Sequence, residues 1–493
     1  HGPKTRVISC GQAGERLSRI ACIQTETGNA AGQGGYGGVM GSKNLKAVAV
    51  RGTGGVPVAG PERLMQLCLH ASREGQRPPN PSAGGGRPEP QAQYRRKKCG
   101  FCMTQCAGRL FMNVPGEATS GAHTVDWNCY SFATTSFEAH IEARTLASDY
   151  GLNGWEVSYG IIPWLQLCRQ HSLIEEIDGL EIPVPDEPIE YLRDAASVSG
   201  EFVTMLLRKI AFREGEIGDA LAEGACYAAD RLFDGRGKPL LDHIYPRHMG
   251  HTSHWNAHWG TGGNIYFPFW LVPILQWCVD TRDPASDSTH QYSTHMLSYL
   301  PVHGPNEGPL SMETARAVCE KVYGEAGVCD PELGYERPET KAIPAIFHHD
   351  RGMLLESLVL CDKENQRVFS METEDRMADT ALMVKLFSAC TGYETSEEEL
   401  DLAGERIFNL LRAIDVRNHG RDRAVDEETA RDLQHPAFTD GVELDLEKFQ
   451  GMLDTYYELR GWNPDNGWPT RNRLEELGLD EVADGLEAIG KLG

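Results

Sequence analysis

Residues 30–46 have the sequence AAGQGGYGGVMGSKNLK, in which six of the seventeen residues are glycine. Glycines allow the backbone to approach a ligand closely and to turn its N–H groups towards an anion. The string is neither a Walker loop nor a G-x-G-x-x-G fingerprint in a strand–turn–helix frame. Its glycine content alone is as compatible with a plain loop as with a phosphate cradle, to which Lys43 and Lys46 would add positive charge.

The rest of the chain has mostly helical spacing. Short apolar runs at Arg6–Ser9 and Ala47–Val50 predict strands, and residues 75–93 and 243–305 lack a clean period. We therefore expect a mainly α fold with a small β-containing start, and domains at 1–57, 58–235 and 236–493. The ranges that predict helices are 61–71, 137–175 with a break at 150–154, 200–233, 371–420 and 446–490.

Composition narrows the class of protein. The chain has 493 residues, which is too long for one compact core, and a net charge of −24. That charge argues against nucleic acid or an anionic membrane as the main partner. No apolar run approaches the roughly 18 residues of a membrane span. The chain opens on His1 rather than on methionine and has no signal peptide, so we expect a fragment or a processed form.

Three of the 14 cysteines form a C-x2-C-x3-C motif, Cys99, Cys102 and Cys106. Thiolates this close can hold an iron–sulfur cluster or, with a suitable fourth ligand, zinc; three unrelated reduced cysteines in a loop are the plain alternative. No second C-x2-C exists, so a fourth ligand must come from far along the chain. The basic run 95–98 just before the motif is either a solvated surface or a charge partner for an anionic cofactor or an acidic electron carrier.

Other chemically capable residues have less specific patterns. His251, His254 and His258 have i, i+3, i+7 spacing, which suits a zinc or iron site on one helix face. We favour instead a substrate-channel wall rich in aromatic residues. The isolated cysteines are interpreted as small buried apolar residues; they are Cys68, Cys168, Cys226, Cys319 and Cys390.

Several motifs together resemble the aldehyde ferredoxin oxidoreductase family. GQAGER at 11–16, the glycine-rich string and AVAVRG at 47–52 are similar to the family's G-x-A-G-E and R-G-G-x-G-A-V-M-G-S-K-N-L-K-A patterns. The cysteine motif matches the family's cluster motif, and Cys361 after ESLVL resembles its distant fourth cysteine. YYELRGW at 456–462, GWPT at 467–470 and LGL at 477–479 fit the family's tail. The resemblance implies the family's helical domains 2 and 3, preceded by the end of a β-rich pterin-binding domain.

The resemblance also implies cofactors and the residues that hold them. Tungsten or molybdenum would be bound by two pyranopterins, with Mg²⁺ bridging the pterin phosphates, beside a [4Fe–4S] cluster on Cys99, Cys102, Cys106 and Cys361. The chain departs from the family pattern at Gln33, where an Arg is usual, at Asn153, where a second Asp is common, and at Glu356, which replaces an Asp. The implied pterin contacts are Gly32, Gln33, Gly34, Gly35, Gly37, Lys43, Asp149, Asn153 and Glu356.

The implied activity is oxidation of an aldehyde to a carboxylate, with electrons passing through the cluster to ferredoxin or another iron–sulfur carrier. His290 and Asp126 are the candidate proton carriers, although His290 also fits a structural role. Cys129 is either a buried structural cysteine or a tungsten ligand, as in the branch of the family that reduces aromatic acyl-CoA thioesters. The alternatives are therefore the catalytic subunit of such a reductase and a non-catalytic, cluster-binding remnant. We expect an anaerobic, cytoplasmic protein that works as a homodimer or within a larger redox complex.

Overall fold

The described residues divide into two compact units. The first lies within His1–Gly55 and Gly86–Gly263, and the second within Val56–Gly85, Asn264–Gln434 and Thr439–Gly493. The domain boundaries after residues 57 and 235 stay predictions. The computed structural model describes residues 5–25, 30–32, 34–74, 94–96, 109–112, 123–126, 132–190, 194–244, 271–280, 292, 296, 298–301, 308–330, 333–360, 367–432 and 444–493, of which 94–96, 109–112 and 123–126 are described by their backbone alone.

Helices make up most of the described chain, which confirms the predicted mainly α fold. In chain order they are α1 (Gly11–Glu15), α2 (Tyr36–Ser42), α3 (Pro61–Glu74), α4 (Phe137–Tyr150), α5 (Ile162–Gln170), α6 (Gly200–Phe212), α7 (Gly215–Leu221), α8 (Ala225–Arg231), α9 (Leu271–Val279), α10 (Met312–Tyr323), α11 (Glu339–Leu358), α12 (Leu382–Thr391), α13 (Glu397–His419), α14 (Arg423–Asp432), α15 (Leu446–Arg460), α16 (Arg471–Glu476) and α17 (Asp480–Glu487). A π-helix, Glu156–Ile161, precedes α5, and 3₁₀ helices span Leu232–Gly235, Pro239–His243 and Ala326–Cys329.

The strands form small antiparallel sheets. The predicted strands Arg6–Ser9 and Ala47–Val50 are confirmed as neighbours in a four-stranded sheet of order β3-β2-β1-β4, with Arg6 opposite Val50 and Ser9 opposite Ala47. All four residues of β4 are exposed. The strands are β1 (Arg6–Ser9), β2 (Ile23–Thr25), β3 (Ala30–Ala31), β4 (Ala47–Val50), β5 (Tyr94–Arg96), β6 (Arg109–Met112), β7 (His123–Asp126), β8 (Glu176–Ile177), β9 (Leu180–Glu181), β10 (Trp462–Asn463) and β11 (Trp468–Pro469).

Short polar residues and glycines set the ends of the main helices. The Ser396 hydroxyl accepts a hydrogen bond from the Glu399 backbone N–H, and the Glu399 carboxylate accepts one from the Ser396 N–H. Together they form a capping box at the start of α13. Serine hydroxyls cap α4, α6 and α10 in the same way, and glycines with left-handed backbone end several helices. The serines are Ser136, Ser199 and Ser311, and the glycines are Gly151, Gly324, Gly392, Gly420 and Gly461.

Sequence and structure differ at two helices. The glycine-rich string contains α2, where the sequence suggested either a loop or a cradle. Helix α9 lies in a region whose sequence showed no helical period. The period is missing because every residue of α9 is buried, so no polar face alternates with an apolar one. Residues 371–381, predicted as part of a helix, instead form a non-helical segment: Met377 bridges to Phe369, and Arg376 has a left-handed backbone.

In the first unit, α1 and α2 are packed through glycines. A Cβ atom at Gly41 would lie 1.9 Å from the Gly14 carbonyl oxygen, and one at Gly14 would lie 2.6 Å from the Gly37 carbonyl oxygen. Real Cβ atoms are not found at such separations from backbone. The two helices can therefore touch only because these positions lack side chains.

In the second unit, α11 is the central helix, with α9, α13 and α15 packed around it. A Cβ atom at Gly404 would lie 2.3 Å from the Asp350 carbonyl oxygen, so α13 also approaches α11 through a glycine. The buried side of α11 carries several ionisable residues, Lys341, His348, His349, Asp350 and Arg351.

Helix α3 also belongs to the second unit and packs against α12. The Ala59 and Gly60 backbone N–H groups donate to the carbonyl oxygens of Cys390 and Ala389, at 3.1 and 2.9 Å. The Glu74 carboxylate at its far end accepts the backbone N–H of Asp379, which is 305 residues away in the chain. These contacts fix both ends of α3 on residues that lie more than 300 positions later in the chain.

Among the described residues, no helix combines the length and the apolar character needed to cross a lipid bilayer.

The glycine contact between α1 and α2 predicts the effect of one added methyl group. We expect Gly41→Ala to lower the free energy of unfolding of the first unit by about 1–3 kcal/mol, because the new Cβ would overlap the Gly14 carbonyl oxygen. In an open helix the same change would stabilise by up to about 1 kcal/mol. The measurement is denaturant unfolding followed by circular dichroism.

Gly54→Ala is the matched control, since nothing lies within 4 Å of a Cβ atom built at Gly54. It should leave stability within about 0.5 kcal/mol of the parent chain. A Gly41→Ala chain as stable as the control would contradict the proposed close contact.

Candidate functional site

Three segments meet in the first unit, two near the start of the given sequence and one more than 100 residues later. They are residues 10–12, residues 20–24 and the turn at 150–153. The Cys22 N–H donates to the Gly151 carbonyl oxygen at 2.7 Å, and the Asn153 N–H donates to the Ile20 carbonyl oxygen at 2.8 Å. A bridge between Ala21 and Leu152 lies between these two bonds. The predicted pterin turn is thereby attached to the strand that leads into the glycine-rich string.

The meeting point depends on two glycines that face each other. A Cβ atom at Gly11 would lie 2.4 Å from the Tyr150 carbonyl oxygen, and one at Gly151 would lie 2.4 Å from the Cys10 carbonyl oxygen. Gly151 also has a left-handed backbone with φ of 72°, which ends α4 and turns the chain towards Asn153. Any side chain at either position would separate the segments.

The start of α2 joins the same place and explains two of the predicted cofactor glycines. The Gly37 N–H donates to the Ala21 carbonyl oxygen at 2.9 Å. Cβ atoms at Gly37 and Gly35 would lie 2.6 Å from the carbonyl oxygens of Cys22 and Arg19. The space beside each of these two glycines is therefore occupied by the chain's own backbone.

The earlier glycines of the string are more open. A Cβ atom at Gly32 would meet only the Cys22 sulfur, at 3.9 Å, and one at Gly34 would meet only the ring of Tyr36. Gly34 has φ of 63°, and Lys43 is exposed just after α2. Of the predicted set, these three residues retain backbone or charge that a ligand can reach.

Three buried polar atoms at the meeting point have no hydrogen-bond partner among the described residues. They are Gln12 Oε1, Gln24 Oε1 and Asn153 Nδ2. Leaving such a group unpaired costs about 1–3 kcal/mol, so each is expected to serve a partner. Two acceptors and one donor suit a polar heterocycle that itself donates and accepts hydrogen bonds, as a pterin does. Asn153 is one of the predicted pterin contacts; neither glutamine was predicted, although Gln12 lies within the GQAGER motif.

Charges near the turn are adjusted by burial and by neighbouring groups. Loss of water around the Asp149 carboxyl raises its pKa, and the Glu142 carboxylate raises it further, even though Asp149 remains partly exposed. Lys46, the second lysine of the string, pairs with Glu15 at 2.9 Å. Lys43 is thus the lysine of this string that forms no ion pair with the described residues.

A π-helix, Glu156–Ile161, follows the turn directly. Helices of this kind are rare and often occur at functional sites. The Glu156 carboxylate is fully buried and accepts the Ala225 backbone N–H at 2.8 Å, which links the turn to the start of α8. No pattern in the sequence predicts this element.

In the second unit, a buried ionic network holds the end of α9. Arg421 donates to the carbonyl oxygens of Cys278 and Asp280, at 2.7 and 2.6 Å, and pairs with Asp426. Asp426 also receives both arms of Arg412, at 3.1 and 2.7 Å. Burial alone would raise the pKa of Asp426, but the two guanidinium groups keep it below its usual value. The network fixes the chain immediately before the segment that contains His290.

His349 lies beside that anchored end. Its ring stacks on Phe408 with centroids 4.5 Å apart, Nδ1 is 3.0 Å from the Tyr456 hydroxyl, and Nε2 is 3.5 Å from Asp280. Full burial lowers the pKa of His349 well below its ordinary value, so the ring is neutral. The neighbouring Asp350 pairs with Arg460; burial raises the pKa of Asp350 to about 7, against the opposing effect of that arginine.

The remaining predicted site residues are distributed as follows. Glu356 is exposed on the last turn of α11 in the second unit, and Asp126 ends β7, where only the backbone is described. The other predicted residues lie outside the described part of the chain; they are Gln33, Cys99, Cys102, Cys106, Cys129, His290 and Cys361. The clustered histidines 251, 254 and 258 lie outside it as well.

Comparisons with known proteins bear on the resemblance directly. The family model described as aldehyde ferredoxin oxidoreductase, domains 2 and 3, matches residues 49–479, and the model of its N-terminal domain matches residues 1–52. Tungsten-containing aldehyde ferredoxin oxidoreductases of Pyrococcus furiosus and Pyrococcus abyssi are 25% and 24% identical, over 97% of this chain and 74% of theirs.

A solved structure has the same fold. The active-site complex BamBC of benzoyl coenzyme A reductase, in complex with 1,5-dienoyl-CoA, aligns with a TM-score of 0.65 at 20% identity. The alignment covers 100% of this chain and 76% of that one. The predicted fold is confirmed by this likeness together with the family models.

The neutral, buried His349 predicts a dependence of stability on pH. Its pKa is lower in the folded chain than in the unfolded one, so unfolding takes up a proton below about pH 6.5. Stability contributed by His349 is therefore present above that pH and is lost on acidification, by up to about 1.4 kcal/mol per pH unit. We expect His349→Gln to show a shallower loss of stability in unfolding experiments between about pH 6.5 and 5.

His171→Gln is the control, because His171 is exposed. Comparing the variants separates His349 from Asp350, whose raised pKa makes stability fall as pH rises. Equal slopes in the His349→Gln and parent chains would refute the assignment.

Proposed function

The chain belongs to the aldehyde ferredoxin oxidoreductase family, and from this membership we propose that it is a tungsten-dependent oxidoreductase that converts aldehydes to carboxylates. In the balanced half-reaction, an aldehyde and one water give a carboxylate, three protons and two electrons. The electrons would leave through a [4Fe–4S] cluster to ferredoxin or a similar carrier. The named function of the Pyrococcus relatives supports this reaction.

The observation that carries the proposal is the set of unpaired polar atoms where the three segments meet. Gln12, Gln24 and Asn153 contribute them within a frame fixed by glycine contacts. Buried groups without partners are uncommon in folded proteins, so three of them on the segments that meet here support a bound polar group at this place. Asn153 also occupies the position of the pterin turn at which the family pattern commonly has a second Asp.

The proposed cofactor has two parts held by different residues. When bound, tungsten or molybdenum in two pyranopterins supplies the two-electron chemistry, and the protein supplies binding and orientation. Gly32, Gly34 and Lys43 offer accessible backbone and charge beside the meeting point, and Gln33, Asp149 and Glu356 complete the proposed contacts with the pterins and with Mg²⁺ on their phosphates. The proposed ligands of the cluster are Cys99, Cys102, Cys106 and Cys361.

Proton transfer is assigned to His290 and Asp126. A histidine titrates near neutral pH and suits removal of a proton from water or substrate. His290 lies ten residues beyond Asp280, whose backbone Arg421 holds. A small displacement of a proton carrier slows a reaction greatly.

Cys129 supports a second candidate function. In the branch of the family that reduces aromatic acyl-CoA thioesters, a cysteine in this region ligates tungsten, and a thiolate suits a metal held by sulfur. The chain would then be the catalytic subunit of a larger reductase complex, with electrons flowing towards the substrate. The third candidate is a remnant that binds a cluster without tungsten. For all three we propose the anaerobic cytoplasm as the location.

Metal content of separate variants tests the two-part cofactor. In anaerobically purified protein we expect one tungsten and about four irons per chain. Cys102→Ser should lose most of the iron, because the cluster loses a thiolate ligand. Asn153→Leu should lose tungsten and pterin but keep iron, because it removes an amide from the meeting point and leaves the cysteines intact. The measurement is inductively coupled plasma mass spectrometry with a fluorescence assay for pterin.

Cys168→Ser and Asn472→Ala are the controls. Cys168 is buried alone in α5, and Asn472 is exposed in α16, where it donates to Glu476. Both should keep the metals of the parent chain. Iron without tungsten in the parent chain would instead establish the remnant, and zinc alone would overturn all three candidates.

A direct assay separates the two catalytic functions. We expect the purified protein to reduce a viologen dye when given aldehydes and to be inactive with benzoyl-CoA and a strong reductant. Activity with benzoyl-CoA alone would reverse the assignment. Cys129→Ser should then abolish that activity, whereas an aldehyde oxidoreductase would retain at least part of its rate.

A further inference from the structure

A cavity of about 300 Å³ opens at the surface of the second unit, between α11, α13 and α15. Its apolar walls are Ile343, Ile346 and Phe347 of α11 and Leu459 of α15. None of these four residues is fully buried, and Leu459 is 48% exposed, so the cavity is accessible from solvent. Its volume and its apolar walls suit a small organic molecule.

Asp350 lines the cavity and has an unpaired carboxyl oxygen. Its Oδ1 accepts a hydrogen bond from Arg460, which is fully buried and does not line the cavity. No described residue donates to Oδ2, although Asp350 is only 9% exposed. A carboxyl oxygen buried to this degree normally has a partner, so Oδ2 indicates the polar end of a ligand site.

The cation that lines the cavity is already engaged. Arg351 lies over the ring of Phe347, with its guanidinium carbon 4.3 Å from the ring centroid. Its three nitrogens donate to the carboxylates of Asp401 and Glu397 and to the Thr380 carbonyl oxygen. Asp401 itself lines the cavity and keeps 38% of its side chain exposed. The polar atoms that remain available to a ligand are therefore carboxyl oxygens.

The charges around the cavity do not balance. Arg351 pairs with both Asp401 and Glu397, whereas Arg460 pairs with Asp350 alone. Three carboxylates thus surround two guanidinium groups when Asp350 is ionised, which leaves one negative charge in excess. An anionic ligand would be repelled by this excess, and a cation that donates hydrogen bonds would be attracted.

We propose that this cavity binds a small organic ammonium ion. Its N–H groups donate to Asp350 and Asp401, and its apolar body packs against Phe347 and the two isoleucines of the wall. A single ring with a short alkyl chain is of suitable size. The cavity contains none of the residues proposed to hold the cofactors, so this binding does not depend on the proposed oxidoreductase chemistry.

Binding should strengthen as pH rises through neutrality. Burial raises the pKa of Asp350 to about 7, against the opposing effect of Arg460. The ionisable groups that face or flank it are Arg460 on α15, Asp401 and Glu405 on α13, and His349 and Arg351 on α11. An ammonium ion binds the ionised carboxyl group and itself stays protonated below about pH 9. The dissociation constant should therefore be about tenfold lower at pH 8 than at pH 6.

Ligand-observed NMR titration of the full chain tests the proposal with three molecules of similar shape. 2-Phenylethylammonium should bind. 2-Phenylethanol, which lacks the charge, should bind roughly tenfold more weakly, because a hydrogen bond to a neutral donor is weaker. 3-Phenylpropanoate, an anion, should show no binding. Equal affinity for the amine and the alcohol, or no binding of the amine at pH 8, would overturn the proposal.

Variants locate the bound amine. Asp401→Asn should weaken binding by roughly tenfold, since it removes a charged acceptor, and Ile346→Trp should abolish binding by filling the cavity. Glu320→Gln is the control, because it removes one exposed negative charge from α10, a helix that contributes no residue to the cavity. Circular dichroism checks that each variant is folded. If Asp401→Asn and Ile346→Trp bind the amine as tightly as the control, the amine binds elsewhere and the proposed site is wrong.

Discussion

The close approach of Gly11 and Gly151 is the constraint on which the first unit depends. Each glycine occupies a position where a Cβ atom would lie 2.4 Å from a carbonyl oxygen of the other segment. Only at this separation can Cys22 and Asn153 form their backbone bonds across the junction. The turn, the strand before the glycine-rich string and the start of α2 are then fixed together. Among the described residues, this junction leaves Gln12 Oε1, Gln24 Oε1 and Asn153 Nδ2 without a hydrogen-bond partner.

In the second unit, buried ion pairs rather than glycine contacts hold neighbouring segments together. Asp426 accepts the fork of Arg412 and a bond from Arg421, and the second guanidinium extends the network to the end of α9. Burying such charges is costly unless all are paired, and breaking one pair typically costs about 3–5 kcal/mol. The unit therefore tolerates few alternative arrangements of residues 278–280, which precede the proposed proton carrier.

The sequence predicted more of the fold than of the site. The helical ranges followed from the spacing of apolar residues, and the strands at Arg6–Ser9 and Ala47–Val50 followed from short apolar runs. Helix α9 was missed because full burial removes the periodic signal. The packing roles of Gly35 and Gly37 and the unpaired glutamine oxygens of the meeting point depend on residues that become neighbours only after folding. No local pattern encodes them.

The position of α3 has a consequence for how the protein is made. The helix is synthesised early, yet Glu74 bonds to Asp379, 305 residues later. At about 5–20 residues per second, a ribosome needs roughly 15 to 60 seconds to add that length. During this time α3 has none of its partners on α12, while residues Gly86–Gly263 of the first unit are being synthesised. Translation thus imposes an order on folding, in which the second unit can be completed only after most residues of the first unit have been made.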